Sequence, residues 1–250
     1  MSPGLAVAGR VALVTGANRG LGGAFVEGLL ARGVSRVYAG TRVVASWSDE
    51  RVVPVELDVT DPHQVRAAAA GCPDVDLLIN NAGIMHLTPL IGSPDDDVAR
   101  AEMEVNFFGS LAMIRAFAPV LSANGGGALV NVLSVASWIA PPASGGYGAS
   151  KSAAWALTNA ARVELREQGT LVTAVHAGFI DTEMVTRVKA PKISPADVVA
   201  QTLDAVESGA EEVLADAVTR ETKAALPRDL ELLYPRLQQL WDGRRREPRA

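Results

Sequence analysis

Seven short aliphatic runs recur along the chain, each closed by a turn signal and most separated from the next by a helical stretch. They are RVALVTG (10–16), RVYAGTR (36–42), RVVPVELDVT (51–60), VDLLINNAG (75–83), GALVNVLS (127–134), TLVTAVHAG (170–178) and EEVLAD (211–216). Their Val, Leu and Ile residues run on without inward–outward alternation. A strand of that kind is buried on both faces, which is the condition of a parallel sheet covered by helices on either side. The stretches between supply those helices. They are predicted over 21–33, from Thr60 with Pro62 in the first turn, over 94–121 with an acidic start, from about 147 to 168, and over 194–208. The pattern predicts an α/β chain: a doubly wound parallel sheet of about seven strands in a three-layer αβα sandwich. No linker or low-complexity segment interrupts it, so residues 1–250 are expected to form one domain. Ligands of such sheets bind outside the carboxyl ends of the strands, where each motif below falls.

Composition narrows the function classes. Of the 250 residues, 48% are hydrophobic and 20% charged, enough apolar material for a large core. The net charge of −5 gives no electrostatic reason to expect nucleic acid. No continuous apolar run reaches the roughly 20 residues that span a bilayer, and no signal peptide is evident. The single cysteine, Cys72, excludes an internal disulfide and fits a reducing cytosol, so a cytoplasmic protein with a buried thiol is expected. His63, His86 and His176 show no metal-ligand spacing, and no metal site is predicted. The basic tail GRRREPRA reads as a solvated, frayed end.

Between the first strand and the first helix lies TGANRGLG (15–22). Gly16, Gly20 and Gly22 allow a tight turn and let a phosphate reach the helix N-terminus, where free N–H groups and the dipole favour an anion. Further on, GGYGASKSAAWAL (145–157) sets Tyr147 and Lys151 one helical turn apart among small residues. A phenol with a pKa of about 10 exchanges protons reluctantly near neutrality. A neighbouring ammonium favours the phenolate and is expected to lower that value.

The glycine spacing resembles the T-G-x-x-x-G-x-G loop of the short-chain dehydrogenase/reductase family. Four further motifs, in order, carry the same resemblance: Asn80-Asn81-Ala82-Gly83 after the fourth strand, Asn106 in the next long helix, Ser134 thirteen positions before Tyr147, and the Tyr-x-x-x-Lys itself. Together they cover roughly residues 10–182. The resemblance implies a Rossmann-type fold and a nicotinamide nucleotide. It casts Tyr147 as general acid in reduction, and Lys151 as its electrostatic partner and ribose ligand. Ser134 would bind the substrate oxygen, and Asn106 would support a proton relay. It also assigns Gly16, Asn18, Arg19, Gly20, Leu21, Gly22, Asp58, Val59, Asn81, Ala82, Gly83, Gly178, Ile180 and Thr182 to the cofactor. Ser137 lies only ten positions before Tyr147 and is left out. Ala177 stands where the family usually has proline, which puts the rigidity of that loop in doubt. His176 beside it reads as a satisfied strand-end histidine.

NAD-preferring relatives place a carboxylate at the end of the second strand. Here that strand ends AGTR, with Arg42 twenty residues after Gly22, and Arg19 sits inside the glycine loop. Two guanidinium groups suit a 2′-phosphate that a carboxylate would repel, so NADPH/NADP+ is the expected cofactor. The expected substrate is a small carbonyl compound held by residues 84–90, 138–142 and the segment after Thr182. Trp138, Ile139 and Met184 would make that site apolar, under a short lid. The resemblance implies dimer faces on the helices carrying Asn106 and Tyr147, where Ala149, Ala153, Ala154 and Ala156 permit close contact, and so a homo-oligomer, a tetramer or a dimer. The expected activity is ketone or aldehyde reduction. The alternatives are an alcohol or hydroxysteroid dehydrogenase working in oxidation and a nucleotide-sensing protein that turns nothing over.

Overall fold

The seven aliphatic runs become seven strands in the computed structural model, which describes residues 4–246. They are β1 (Val11–Thr15), β2 (Arg36–Thr41), β3 (Val52–Glu56), β4 (Leu77–Asn80), β5 (Ala128–Val132), β6 (Leu171–His176) and β7 (Glu212–Leu214). All pairings are parallel, in the order β3-β2-β1-β4-β5-β6-β7. Each strand is shorter than its aliphatic run because the ladder stops where the chain turns toward the next helix. The order reverses between β1 and β4, and the crevice at their carboxyl ends is where a nucleotide fits such a sheet.

Continuous hydrophobicity serves two cores. Ala12 and Val14 pack on one face with Phe25, Val26 and Leu29 of α1 (Gly20–Ala31) and Val199 and Leu203 of α6 (Pro195–Ser208). Leu13 points to the other face and meets Met113, Phe117 and Leu121. Burying successive side chains on opposite faces makes a parallel sheet the only economical arrangement.

Helix starts follow their caps. The helix expected from Thr60 is α2 (Pro62–Gly71), because Asp61 accepts hydrogen bonds from the His63 and Gln64 amides and so fixes the cap one residue later. Thr60 donates instead to Asp58. The helix expected over 94–121 begins at Asp97 and is not uniform. It comprises α3 (Asp97–Met103), a π-turn (Glu104–Gly109) and α4 (Ser110–Ala123). By length and apolar character this stretch passes for a membrane span, yet Met113, Ile114, Phe117 and Leu121 are buried beneath the sheet. The next helix, α5 (Gly145–Glu164), starts two residues earlier than expected and puts Tyr147 in its first turn.

The C-terminal helices α7 (Ala217–Ala225), α8 (Asp229–Leu232) and α9 (Tyr234–Arg246) were not anticipated. Their apolar content is low, and the buried Leu233 holds the last two. Within the basic tail expected to be frayed, residues 243–246 continue α9, and the last four lie outside the described residues. The Cys72 thiol is buried, and that burial pushes its pKa up to about 11.

Candidate active site

The glycine-loop end of the candidate site is assembled by one threonine and one asparagine. Thr15, the last residue of β1, accepts the Asn81 and Ala82 amides on its hydroxyl at 3.0 and 2.9 Å. Asn81 returns its side-chain amide to the Thr15 and Gly16 carbonyls at 2.9 and 3.3 Å. Gly16 takes φ +67°, and a Cβ at Gly22 would collide with the Gly16 carbonyl. The loop therefore lies flat over the start of α1. That helix opens at Gly20 with Arg19 as its cap residue, and no side chain satisfies its first amides. Leu21 buries its side chain in the core, so only its main chain could meet a cofactor. Asn18 and Arg19 are exposed there. Free amides, a flat glycine turn and absence of a carboxylate cap suit a pyrophosphate.

The residues placed around the adenosine end are not all gathered. Arg42 is exposed just past β2. Asp58 accepts the Thr60 amide at 2.9 Å and hydroxyl at 2.7 Å. Burial pushes its carboxyl up, but those two bonds and the nearby charge of Arg42 outweigh it and hold the pKa below the usual value. Arg19, expected beside Arg42, pairs with Glu183 at 2.6 Å. Val59 packs its side chain against Gly109 of the π-turn.

Ser134, Tyr147 and Lys151 converge beyond the ends of β4 and β5. The Ser134 hydroxyl accepts the Ala136 amide at 3.1 Å, so its own proton is free to be donated toward Tyr147. Ser137 is not idle: its hydroxyl accepts the Ser134 amide at 3.3 Å. Lys151 is buried, and its Nζ donates to the Val132 carbonyl at 2.8 Å, 5.8 Å from the centre of the Tyr147 ring. Gly83 leaves the space beside it open, since a Cβ there would stand 3.0 Å from Asn106 Oδ1 and 3.6 Å from Lys151 Nζ. Asn106 clamps Ile84, accepting its amide and donating to its carbonyl, both at 2.9 Å, and also donates to Ser150. The π-turn supplies the extra rotation that lets a helix side chain reach back to that loop.

The electrostatics differ from the sequence expectation. Burial pushes the Tyr147 phenol up to about 12; the Ser134 hydroxyl pulls it down, and the Glu102 charge adds to the rise. Burial alone brings Lys151 down to about 8. Desolvation outweighs any help from the ammonium, and Tyr147 stays protonated near neutral pH.

Past β6, Ala177 is buried and its carbonyl accepts the Val135 amide at 2.9 Å, which ties the loop down without proline. Gly178 donates its amide to Asp216 at 2.7 Å. A Cβ at Gly20 would stand 3.4 Å from Thr182, so this segment lies over the glycine loop. Ile180 pairs with Ile193 and closes the lid on itself. Met184 is exposed, Trp138 stacks on His176 at 4.0 Å, and Ile139 is half-buried. Ala154, grouped with the interface alanines, faces the sheet with Leu133 and Ala174.

Three residues of the candidate site give no functional signal in the sequence. Thr15 opens the TGANRGLG loop, but nothing in the sequence shows that its hydroxyl holds the Asn81 and Ala82 amides. Glu183 shows only as surface charge. Glu102 is 1% exposed, accepts the His86 amide at 2.6 Å and lies against Gly146, the neighbour of Tyr147. A glutamate in a helix gives no sign of burial until the fold is known. His176 is satisfied on one side only: its Nδ1 meets the Ser134 carbonyl at 3.1 Å, while Nε2 is buried without a hydrogen-bond partner.

A glycine-opened helix at the switch point of a parallel sheet, with a hydroxyl, a phenol and an ammonium beside it, defines an oxidoreductase of the dinucleotide-binding fold. Residues 10–192 match the family model described as short chain dehydrogenase, and the chain belongs to the short-chain dehydrogenase/reductase family. It is 46% identical to a short chain dehydrogenase from Burkholderia cenocepacia J2315 solved in complex with NADP. That match has a TM-score of 0.89 and covers 93% of this chain and 99% of the other. A short chain dehydrogenase/reductase from Burkholderia phymatum in complex with NAD is 25% identical, with a TM-score of 0.80 over 91% of this chain and 96% of its own. A 3-alpha-(or 20-beta)-hydroxysteroid dehydrogenase from Mycobacterium tuberculosis H37Rv is 32% identical over 190 residues, 70% of this chain and 71% of its length.

Proposed function

We propose that the protein is an NADPH-dependent carbonyl reductase. The observation that carries the reading is the meeting of Ser134, Tyr147 and Lys151 beside the uncapped start of α1. NADPH, when bound, supplies the hydride. Ser134, whose hydroxyl proton is not committed to the main chain, donates to the carbonyl oxygen and stabilises the charge that develops there. Tyr147 delivers the proton to that oxygen. Lys151 holds the positive charge that offsets the phenolate left behind, and its amine, which donates to the Val132 carbonyl, would also hold a ribose hydroxyl of the nucleotide. Asn106 keeps the Ile84 loop, and hence Gly83, from closing on the lysine. The absence of a carboxylate after β2 and the presence of Arg42 and Arg19 favour the 2′-phosphate of NADPH. The Burkholderia cenocepacia relative, solved with NADP, agrees with that preference. The mycobacterial hydroxysteroid dehydrogenase favours a second reading, in which the same groups oxidise a secondary alcohol and Tyr147 acts as the base.

The substrate is a ketone or aldehyde taken between residues 84–90, residues 138–142 and the lid. A panel of aliphatic, aromatic and steroid ketones with NADPH, followed at 340 nm, tests the reading. Turnover is expected, and Tyr147→Phe should lower it by roughly 10²–10⁴-fold while NADPH affinity stays within a factor of about two. Native-like turnover by Tyr147→Phe would remove the acid role. No turnover by the native protein with any ketone, but oxidation of the matching alcohols with NADP+, would favour the second reading. Turnover in neither direction would favour a nucleotide sensor.

A further inference from the structure

We infer that His176 is a positioning residue for the Ser134 hydroxyl: its ring, clamped by Trp138, holds the Ser134 main chain in the orientation that aims the side chain at the substrate oxygen. The inference rests on the catalytic reading of Ser134 given above.

His176 ends β6 and is 0% exposed. Its Nδ1 lies 3.1 Å from the Ser134 carbonyl oxygen. A carbonyl can only accept, so the tautomer is fixed with the proton on Nδ1. The same carbonyl accepts the Ser137 amide at 3.0 Å, and the Ser134 amide donates to Ser137 Oγ at 3.3 Å. Those two contacts come from within the same turn and would move with it. His176 is the one that refers the carbonyl to the sheet, and its neighbour Ala177 takes the Val135 amide beside it.

The ring itself is held on every side. Trp138 stacks on it with centroids 4.0 Å apart and planes 26° apart. Lys223 of α7 covers the Trp138 ring at 4.8 Å, and Trp155 of α5 meets its edge at 6.3 Å. Glu212 of β7 lies 3.8 Å from Nε2 and is itself paired with Lys223 at 2.5 Å. Trp138 belongs to the segment that joins Ser134 to Tyr147, so one stack fixes the strand end, the serine turn and the approach to the phenol. This arrangement replaces the stiffness that a proline at 177 would give. The ring's Nε2 has no hydrogen-bond partner among the described residues, so Nδ1 is the nitrogen through which it acts.

Two substitutions separate positioning from packing. His176→Phe keeps an aromatic ring under Trp138 and removes the donor; His176→Asn places an amide donor near Nδ1. With the ketone reduced fastest in the panel, His176→Phe should lower kcat about tenfold, the loss expected when one hydrogen bond of about 1–1.5 kcal/mol no longer holds the serine. NADPH affinity, read by fluorescence titration, should stay unchanged, and His176→Asn should recover most of the kcat. In the His176→Phe background Ser134→Ala should cost several-fold less than in the native protein. A kcat for His176→Phe within twofold of native, with Ser134→Ala inactive, overturns this inference and leaves the catalytic reading standing. So does a loss of kcat that His176→Asn fails to recover, or one matched by an equal loss of NADPH affinity. Full turnover by Ser134→Ala would instead remove the reading of Ser134, and this inference with it.

Discussion

In the proposed recognition of a 2′-phosphate, Arg42 and Arg19 stand unequally. Arg42 is exposed just past β2, and its charge reaches the Asp58 carboxyl. Arg19 is already paired with Glu183, but both partners are largely exposed, and such a pair is worth little against a phosphate dianion. Under that proposal Arg42 carries more of the discrimination. Arg42→Asp is expected to weaken NADPH binding by roughly 10–100-fold, the worth of a charged hydrogen bond lost plus a repulsion gained, while NADH binding changes little. Equal weakening of both nucleotides in a fluorescence titration would dismiss the assignment. The motif residues were legible at this scale because the resemblance fixes each by its place in a string. Asn81 shows the limit. Its side chain clamps Thr15 and Gly16, and that use follows from how β1 and β4 end side by side.

Asp216 joins two elements that the sequence leaves unconnected. Its carboxylate caps α7 by accepting the Thr219 amide at 2.8 Å, and its other oxygen accepts the Gly178 amide at 2.7 Å. The segment that leads to Ile180 and Thr182 thus hangs from the start of α7. Asp216→Ala removes a helix cap and leaves a half-buried amide unpaired, a loss of about 2 kcal/mol. A urea unfolding curve should show that loss, with a weaker hold on the nicotinamide end of the nucleotide appearing as a raised KM for NADPH. A midpoint unchanged from native would refute the coupling. Element boundaries followed local chemistry where a cap was visible, as at Ser194, whose side chain accepts the Asp197 amide at 3.0 Å. They drifted where tertiary contact set them, as at the π-turn around Asn106.

At the scale of the whole molecule, the stack around His176 ties stability to pH. Burial above all brings that imidazole down to about 4 from the ordinary 6.5; its bond to the Ser134 carbonyl and the nearby Glu212 raise it, and Lys223 and Arg162 lower it. Between those pH values the unfolded chain takes up a proton that the native chain refuses. Stability is therefore complete above about pH 6.5 and falls as the pH drops toward 4, by about 3 kcal/mol from this group. Urea midpoints at pH 7 and pH 4.5 should show a smaller drop for His176→Phe than for the native protein. Identical drops would place the acid sensitivity elsewhere.

The sequence alone determined the parallel sheet, because seven uninterrupted aliphatic runs can be buried only between two layers of helices. It also singled out candidates for the chemistry, because the glycine loop and the phenol–ammonium pair belong to a string of motifs whose order carries the family resemblance. Only the tertiary structure decided the environment of those residues: that Tyr147 is raised rather than lowered in its pKa, that Glu102 is buried beside it, and that Arg19 faces Glu183. Burial and long-range charge depend on which distant segments meet. No pattern within a few turns of chain can encode them.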